Sequence, residues 1–248
     1  MFDKGYYLLF NPFTPTGSNQ IKMKNKSIII AFSLVLILDL LVIGADLPQY
    51  LRYFSKPAIT IVLLAYVLLK MKNNKMLKRF LILALIFSLS GDIFLLLPSE
   101  VSWYFIGGLL SFLIAHIMYI SAFFKIDNFR TTKTFLATMV LLFYAMVIFK
   151  FIGGTLDGLF PYVVLYMVVL LLMVLTAIVR HDTVLKSYYL VLSGALLFMI
   201  SDSLLALNKF YSSFAFADLL IMLTYGYAQF LIIFGALRHR RTTEKLWS

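Results

Sequence analysis

Residues 80–98 read FLILALIFSLSGDIFLLLP. The stretch is about as long as a membrane-spanning helix, which needs roughly 20 apolar residues, and apart from two serines its one strongly polar side chain is Asp92. A carboxylate at the centre of such a helix costs about 2.5–3.5 kcal/mol on insertion scales, and less near the ends. A second stretch, ISDSLLAL at 200–207, again sets an aspartate, Asp202, in an apolar run. These two aspartates decide how the rest of the chain is read.

Composition agrees with a membrane protein. Of 248 residues, 62% are hydrophobic and 13% charged, against about 25% charged in a soluble domain. The absence of cysteine excludes disulfides, thiolate metal sites and cysteine nucleophiles. A net charge of +11 invites a nucleic-acid reading, but the placement of the charges argues against one. The apolar piece Tyr6–Phe10 is too short for the ~7–15-residue core of a secretory signal, and Asn11–Gln20 reads as loop or disorder. Met23 resembles a natural start, so residues 1–22 are expected to be a dispensable leader.

Eight spans are expected, at 27–44, 57–70, 79–97, 103–124, 134–152, 159–180, 187–207 and 214–237. The second is short and is expected to start earlier, near Leu51, with Pro57 in its first turns. The expectation is an all-α, polytopic bundle. Residues 1–26 form a leader or loop, 27–237 one eight-helix transmembrane domain, and 238–248 a basic tail. All but four of the 22 Lys and Arg residues fall on one side of this topology; the four are Arg52, Lys56, Lys150 and Lys209. By the positive-inside rule both termini are cytoplasmic, and a bacterial inner membrane is the expected location.

A shift of 110 residues lays Asp92 on Asp202, Lys56 on Tyr166 and Tyr119 on Gln229. Spans then match in two sets of four with the same orientation, which is a parallel repeat. Depth gives a second argument. Asp92 lies thirteen residues past Arg79 and Asp202 sixteen past Lys186, so at ~1.5 Å per residue both reach the outer half of the bilayer.

The polar side chains inside spans are few. Asp39, near the outer end of span one, is expected to be solvated or paired with Lys56 or Arg52. His116 and Tyr119 share a face of span four, and Tyr225 and Gln229 share one of span eight. Gly107, Ser111 and Ala115 make a small-residue stripe on span four that permits close helix approach. No hydrolase nucleophile elbow or phosphate loop is present. The ligand set is poor for zinc and for hard metals. Acid–base chemistry suits the residues better: two carboxylates in a low-dielectric site do not both ionise readily, so one holds a proton while the other serves as base.

At these positions the sequence resembles the YhhN-type lysoplasmalogenase family of integral membrane proteins. The pieces that carry the resemblance are Lys56-Pro57, Gly91-Asp92, AHIMYI at 115–120, SDSLLAL at 201–207 and TYGYAQFLI at 224–232, in order over 27–237. The resemblance implies eight transmembrane helices and, as in characterised members, hydrolysis of the vinyl ether of lysoplasmalogens to a fatty aldehyde and glycerophosphoethanolamine or glycerophosphocholine. It implies Asp92 and Asp202 as the catalytic pair, with no metal or cofactor. In the same reading His116, Tyr119, Tyr166, Tyr225 and Gln229 position water and substrate, and Lys56 holds the phosphate of a lysophospholipid. Two rivals use the same aspartates: a proton-coupled transporter of a lipid-like or small solute, and a non-catalytic lipid-binding or assembly protein.

Overall fold

Each apolar run expected to span becomes one α-helix in the computed structural model, which describes residues 16–71, 74–97, 102–124, 132–180 and 185–245, the side chains of 16–25, 102 and 239–245 aside. The helices are α1 (Thr16–Gly44), α2 (Arg52–Lys70), α3 (Lys75–Phe94), α4 (Ser102–Phe123), α5 (Thr132–Ile152), α6 (Phe160–Val179), α7 (Leu185–Phe210) and α8 (Ala217–Lys245). One boundary agrees with the reading above and one differs from it. Helix α2 does begin early, at Arg52, and carries Pro57 in its second turn, where the missing N–H leaves one bond of the helix ladder unmade. Helix α1 begins at Thr16, so part of the stretch read as loop is helical; residues 1–15 lie outside the described residues.

Local signals account for the helix starts. The Asn74 side chain accepts a hydrogen bond from Leu77 N at 3.0 Å and caps α3. Pro161 sits in the first turn of α6, where its fixed φ is already helical. Among the described residues seven helices are long and apolar enough to cross a membrane. Helix α3 is of similar length, but it opens with Lys75, Lys78 and Arg79 and carries Asp92 near its end.

The distribution of side chains inverts that of a soluble protein. Leu34, Leu41, Phe135, Val140, Phe143 and Met146 are exposed, while Asp39, Thr60, Ser88, Asp92, His116 and Gln229 are fully buried. An apolar surface of this kind suits lipid, and the polar groups turn inward, away from it. Helices α1 and α5 lie at the periphery: 11% of α5 is buried inside the bundle, against 56% of α6. The most extensive helix contacts are α7 on α8 and α3 on α4, with α4 also packed on α6.

Small residues allow those close approaches. The Ser111 hydroxyl bonds back to Gly107 O at 2.7 Å, and Ala115 is fully buried. On α7, a Cβ added to Gly194 would lie 2.8 Å from Ala228 O and Ile232 N, both backbone atoms of α8 that cannot swing aside. Gly194→Ala should therefore force the two helices apart, at a cost of about 1–3 kcal/mol. Gly154, with nothing within 4 Å of its would-be Cβ, is the control, and its alanine variant should stay within about 0.5 kcal/mol. Thermal unfolding in detergent measures both; equal midpoints would contradict the packing.

Candidate active site

The expected site residues fall into two clusters. The first gathers on α2, α3, α4 and α8 around Asp92, which is fully buried. Thr60 Oγ1 donates to Asp92 Oδ2 at 2.9 Å, and Tyr225 OH donates to the same oxygen at 2.8 Å. Lys56 Nζ stands 3.8 Å from Oδ1. Gln229 Nε2 reaches Tyr225 OH at 3.4 Å, and Tyr119 OH donates to Gln229 Oε1 at 2.5 Å. A buried ion pair persists only when the remaining polar atoms are also satisfied, and the Thr60 and Tyr225 hydroxyls meet that need at Oδ2.

The second cluster gathers on α4, α6 and α7 around Asp202. Tyr166 OH donates to Asp202 Oδ2 at 2.6 Å, and His116 Nε2 lies 3.9 Å from that oxygen. That His–Asp gap exceeds a direct hydrogen bond and suits a bridging water or substrate atom. His116 itself is fully buried, its ring edge-to-face with Phe198 at 4.7 Å and Tyr166 at 5.4 Å.

The six residues expected to bind substrate thus divide, with Lys56, Tyr119, Tyr225 and Gln229 joining Asp92 and with His116 and Tyr166 joining Asp202. Among the described residues no hydrogen bond or ion pair links the two aspartates. Three rings stand where the clusters approach: Phe112, Phe198 and Tyr225 meet edge to face at 5.5–6.2 Å. Each is tied to a polar residue. Tyr225 bonds Asp92, and Phe112 and Phe198 lie one turn before His116 and Asp202.

Access separates the clusters further. One cleft is lined by Leu95, Phe105, Phe112, Tyr166, Asp202 and Phe210, among others. A second opens between α5, α6 and α7 and is lined by Tyr144, Met167, Tyr166, Asp202 and Ser203, among others. The two share Val163, Tyr166, Asp202 and Ala206, so Asp202 is the carboxylate where they meet. Asp92 and Lys56 line neither.

Several placements correct the expectations. Asp39 is fully buried and accepts a hydrogen bond from Ser55, so it is neither solvated nor joined to Arg52. Arg52 instead pairs with Asp218 at 3.6 Å. Lys56 is buried at 8% exposure and held by Asp92. The residues that sequence reading missed carry a spacing signal. Thr60 falls one turn after Lys56 on the same face of α2, and Phe112 and Phe198 precede His116 and Asp202 by four. On the far wall, Tyr144 OH donates to Ser203 Oγ at 2.7 Å beside Asp202.

Comparison with known proteins bears on the whole arrangement. The chain is 33% identical over 165 residues to lysoplasmalogenase TMEM86A of Bos taurus, covering 64% of this chain and 66% of that protein. It is 34% identical over 170 residues to lysoplasmalogenase TMEM86A of Homo sapiens, with the same coverage. The matched region thus spans just under two thirds of those relatives' length. No solved structure matches the chain. The match to the YhhN family covers residues 51–236, from the start of α2 to the last membrane turns of α8 and across both clusters. The chain belongs to the YhhN family.

Proposed function

We propose that the chain is a membrane hydrolase that cleaves the vinyl ether bond of a lysoplasmalogen, releasing a fatty aldehyde and a glycerophospho-alcohol. The observation that carries the reading is the place of Asp202: one carboxylate, with a tyrosine and a histidine, where two apolar clefts meet. Family membership and the names of the mammalian relatives support it.

A vinyl ether hydrolyses by protonation at carbon. In this reading the Asp202 carboxyl gives its proton to the far vinyl carbon. The π electrons form the new C–H bond, and positive charge is left on the ether oxygen and the carbon beside it. The Phe112 ring lines the same cleft, and its π face is the part that can attract that cation. Water then adds to the cationic carbon. Its proton returns to the Asp202 carboxylate, with His116 Nε2 near enough to share it through the water. The hemiacetal collapses as its hydroxyl proton passes to the glycerol oxygen. Tyr166, at 2.6 Å, holds the carboxyl in place throughout.

Asp92 takes a different part from the one the pairing of aspartates suggested. Enclosed, paired with Lys56 and outside both clefts, it is a positioning residue: it fixes Tyr225, whose ring packs on Phe112 and Phe198. Two four-helix repeats fit the same reading. Supporting them are the matching α3–α4 and α7–α8 pairs, the peripheral α1 and α5, and the bond between Tyr119 and Gln229, 110 residues apart. Residues 27–237 then form the membrane domain, with basic flanks and both termini on the cytoplasmic side of a bacterial inner membrane. The α-helices run without interior breaks among the described residues, which favours a hydrolase over a transporter built on discontinuous helices. The reading is tested by aldehyde release from a lysoplasmenyl lipid beside its saturated 1-alkyl analogue. Cleavage of the first alone is expected.

A further inference from the structure

The first cleft opens at the end of the bundle where α7 stops. Phe105 and Phe210 line it there, their rings edge to face at 5.6 Å. Lys209 is exposed and holds its Nζ 4.5 Å from the Phe105 ring centroid. Four cations are expected at this end of the helices. Arg52 is committed to Asp218 and Lys56 to Asp92. Lys150 lies on peripheral α5 and lines neither cleft. Lys209 has no carboxylate partner among the described residues, and it is the cation parked against a wall of the cleft.

We propose that Lys209 binds the phosphate of a single-chain phospholipid whose reactive end lies at Asp202; the inference rests on the hydrolase reading and adds a headgroup site to it. The spacing matches. Asp202 and Lys209 are seven residues apart on one face of α7, about 10.5 Å along the axis. In a vinyl ether lysolipid the carbon that takes the proton and the phosphorus are joined by a chain of seven bonds, roughly 9 Å when extended. The lysine stem spans the remainder, and its compact ammonium suits a phosphate as a point charge. The phosphate role expected of Lys56 thereby passes to a residue whose charge is at the cleft mouth. Before binding, the Phe105 ring holds that charge in place.

The experiment measures binding, not turnover. Full-length protein in nanodiscs is titrated with a saturated 1-alkyl lysophosphoethanolamine, which has no vinyl ether, and with the corresponding 1-alkylglycerol, which has no phosphate. Lys209→Ala should weaken the phospholipid about tenfold, the size of one partly solvated charge-assisted contact, and leave the alkylglycerol unchanged. Lys209→Arg should restore most of the loss, and Lys150→Ala should alter neither affinity. Unchanged phospholipid affinity in Lys209→Ala overturns the proposal. So does an equal loss for both lipids, which would make Lys209 a packing residue. Selective binding through Lys209 without aldehyde release from a lysoplasmenyl lipid would overturn the hydrolase reading and leave the phosphate site standing. Aldehyde release that is indifferent to Lys209, with unaltered binding, would do the reverse.

Discussion

Asp202→Asn lowers vinyl ether cleavage by about 10²–10⁴-fold in kcat/KM, the usual contribution of a positioned general acid, and leaves the helical bundle folded. Asparagine keeps the shape of the side chain and an oxygen that can still accept from Tyr166 OH, now 2.6 Å from Oδ2. What is lost is a group that can give a proton to carbon and take one back from water. Asp92→Asn in the same assay separates two accounts. If Asp92 acts through Tyr225 and the ring wall, its variant retains a larger share of kcat. Equal losses in the two variants would return both aspartates to proton transfer.

The second large effect is on stability. Lys56 and Asp92 are 3.8 Å apart, with side-chain exposures of 11% and 0%. Removing either partner strands a buried charge, and such losses run to about 3–5 kcal/mol. Lys56→Met and Asp92→Asn should each lower the unfolding midpoint in detergent substantially. The double variant should recover most of the loss, because methionine fills the lysine's space and asparagine still accepts from Thr60 and Tyr225. A double-mutant cycle reads the coupling directly. Additive losses would mean that the two side chains do not act as a charged pair.

That the two aspartates belong inside the bundle was legible in the sequence, and rotation about each helix axis was not. Both aspartates lie within one bundle, Asp92 fully buried and Asp202 partly exposed to the clefts. Packing sets the direction in which each points. Helix α3 turns Asp92 toward α2 and α8, while α7 turns Asp202 toward α4 and α6. No periodicity in a helix that is apolar nearly all round shows such a rotation. The polar i, i+4 pairs carried more information: Tyr225 and Gln229 do share a face and touch, and Lys56 and Thr60 converge on one carboxylate. His116 and Tyr119, spaced by three, instead reach different clusters. The glycine in SGDIFLLLP has a role of its own. A Cβ at Gly91 would lie 2.6 Å from the Phe112 ring, so the small residue makes room for the wall of the first cleft beside the aspartate.

The most direct measurement is turnover of a lysoplasmenyl lipid by the purified protein in deuterated water, with the aldehyde trapped and weighed by mass spectrometry. Proton delivery to carbon predicts an aldehyde carrying one deuterium at the carbon next to the carbonyl, formed by the wild type and lost with Asp202→Asn. Release of aldehyde without that deuterium, or undiminished release by Asp202→Asn, would contradict the account.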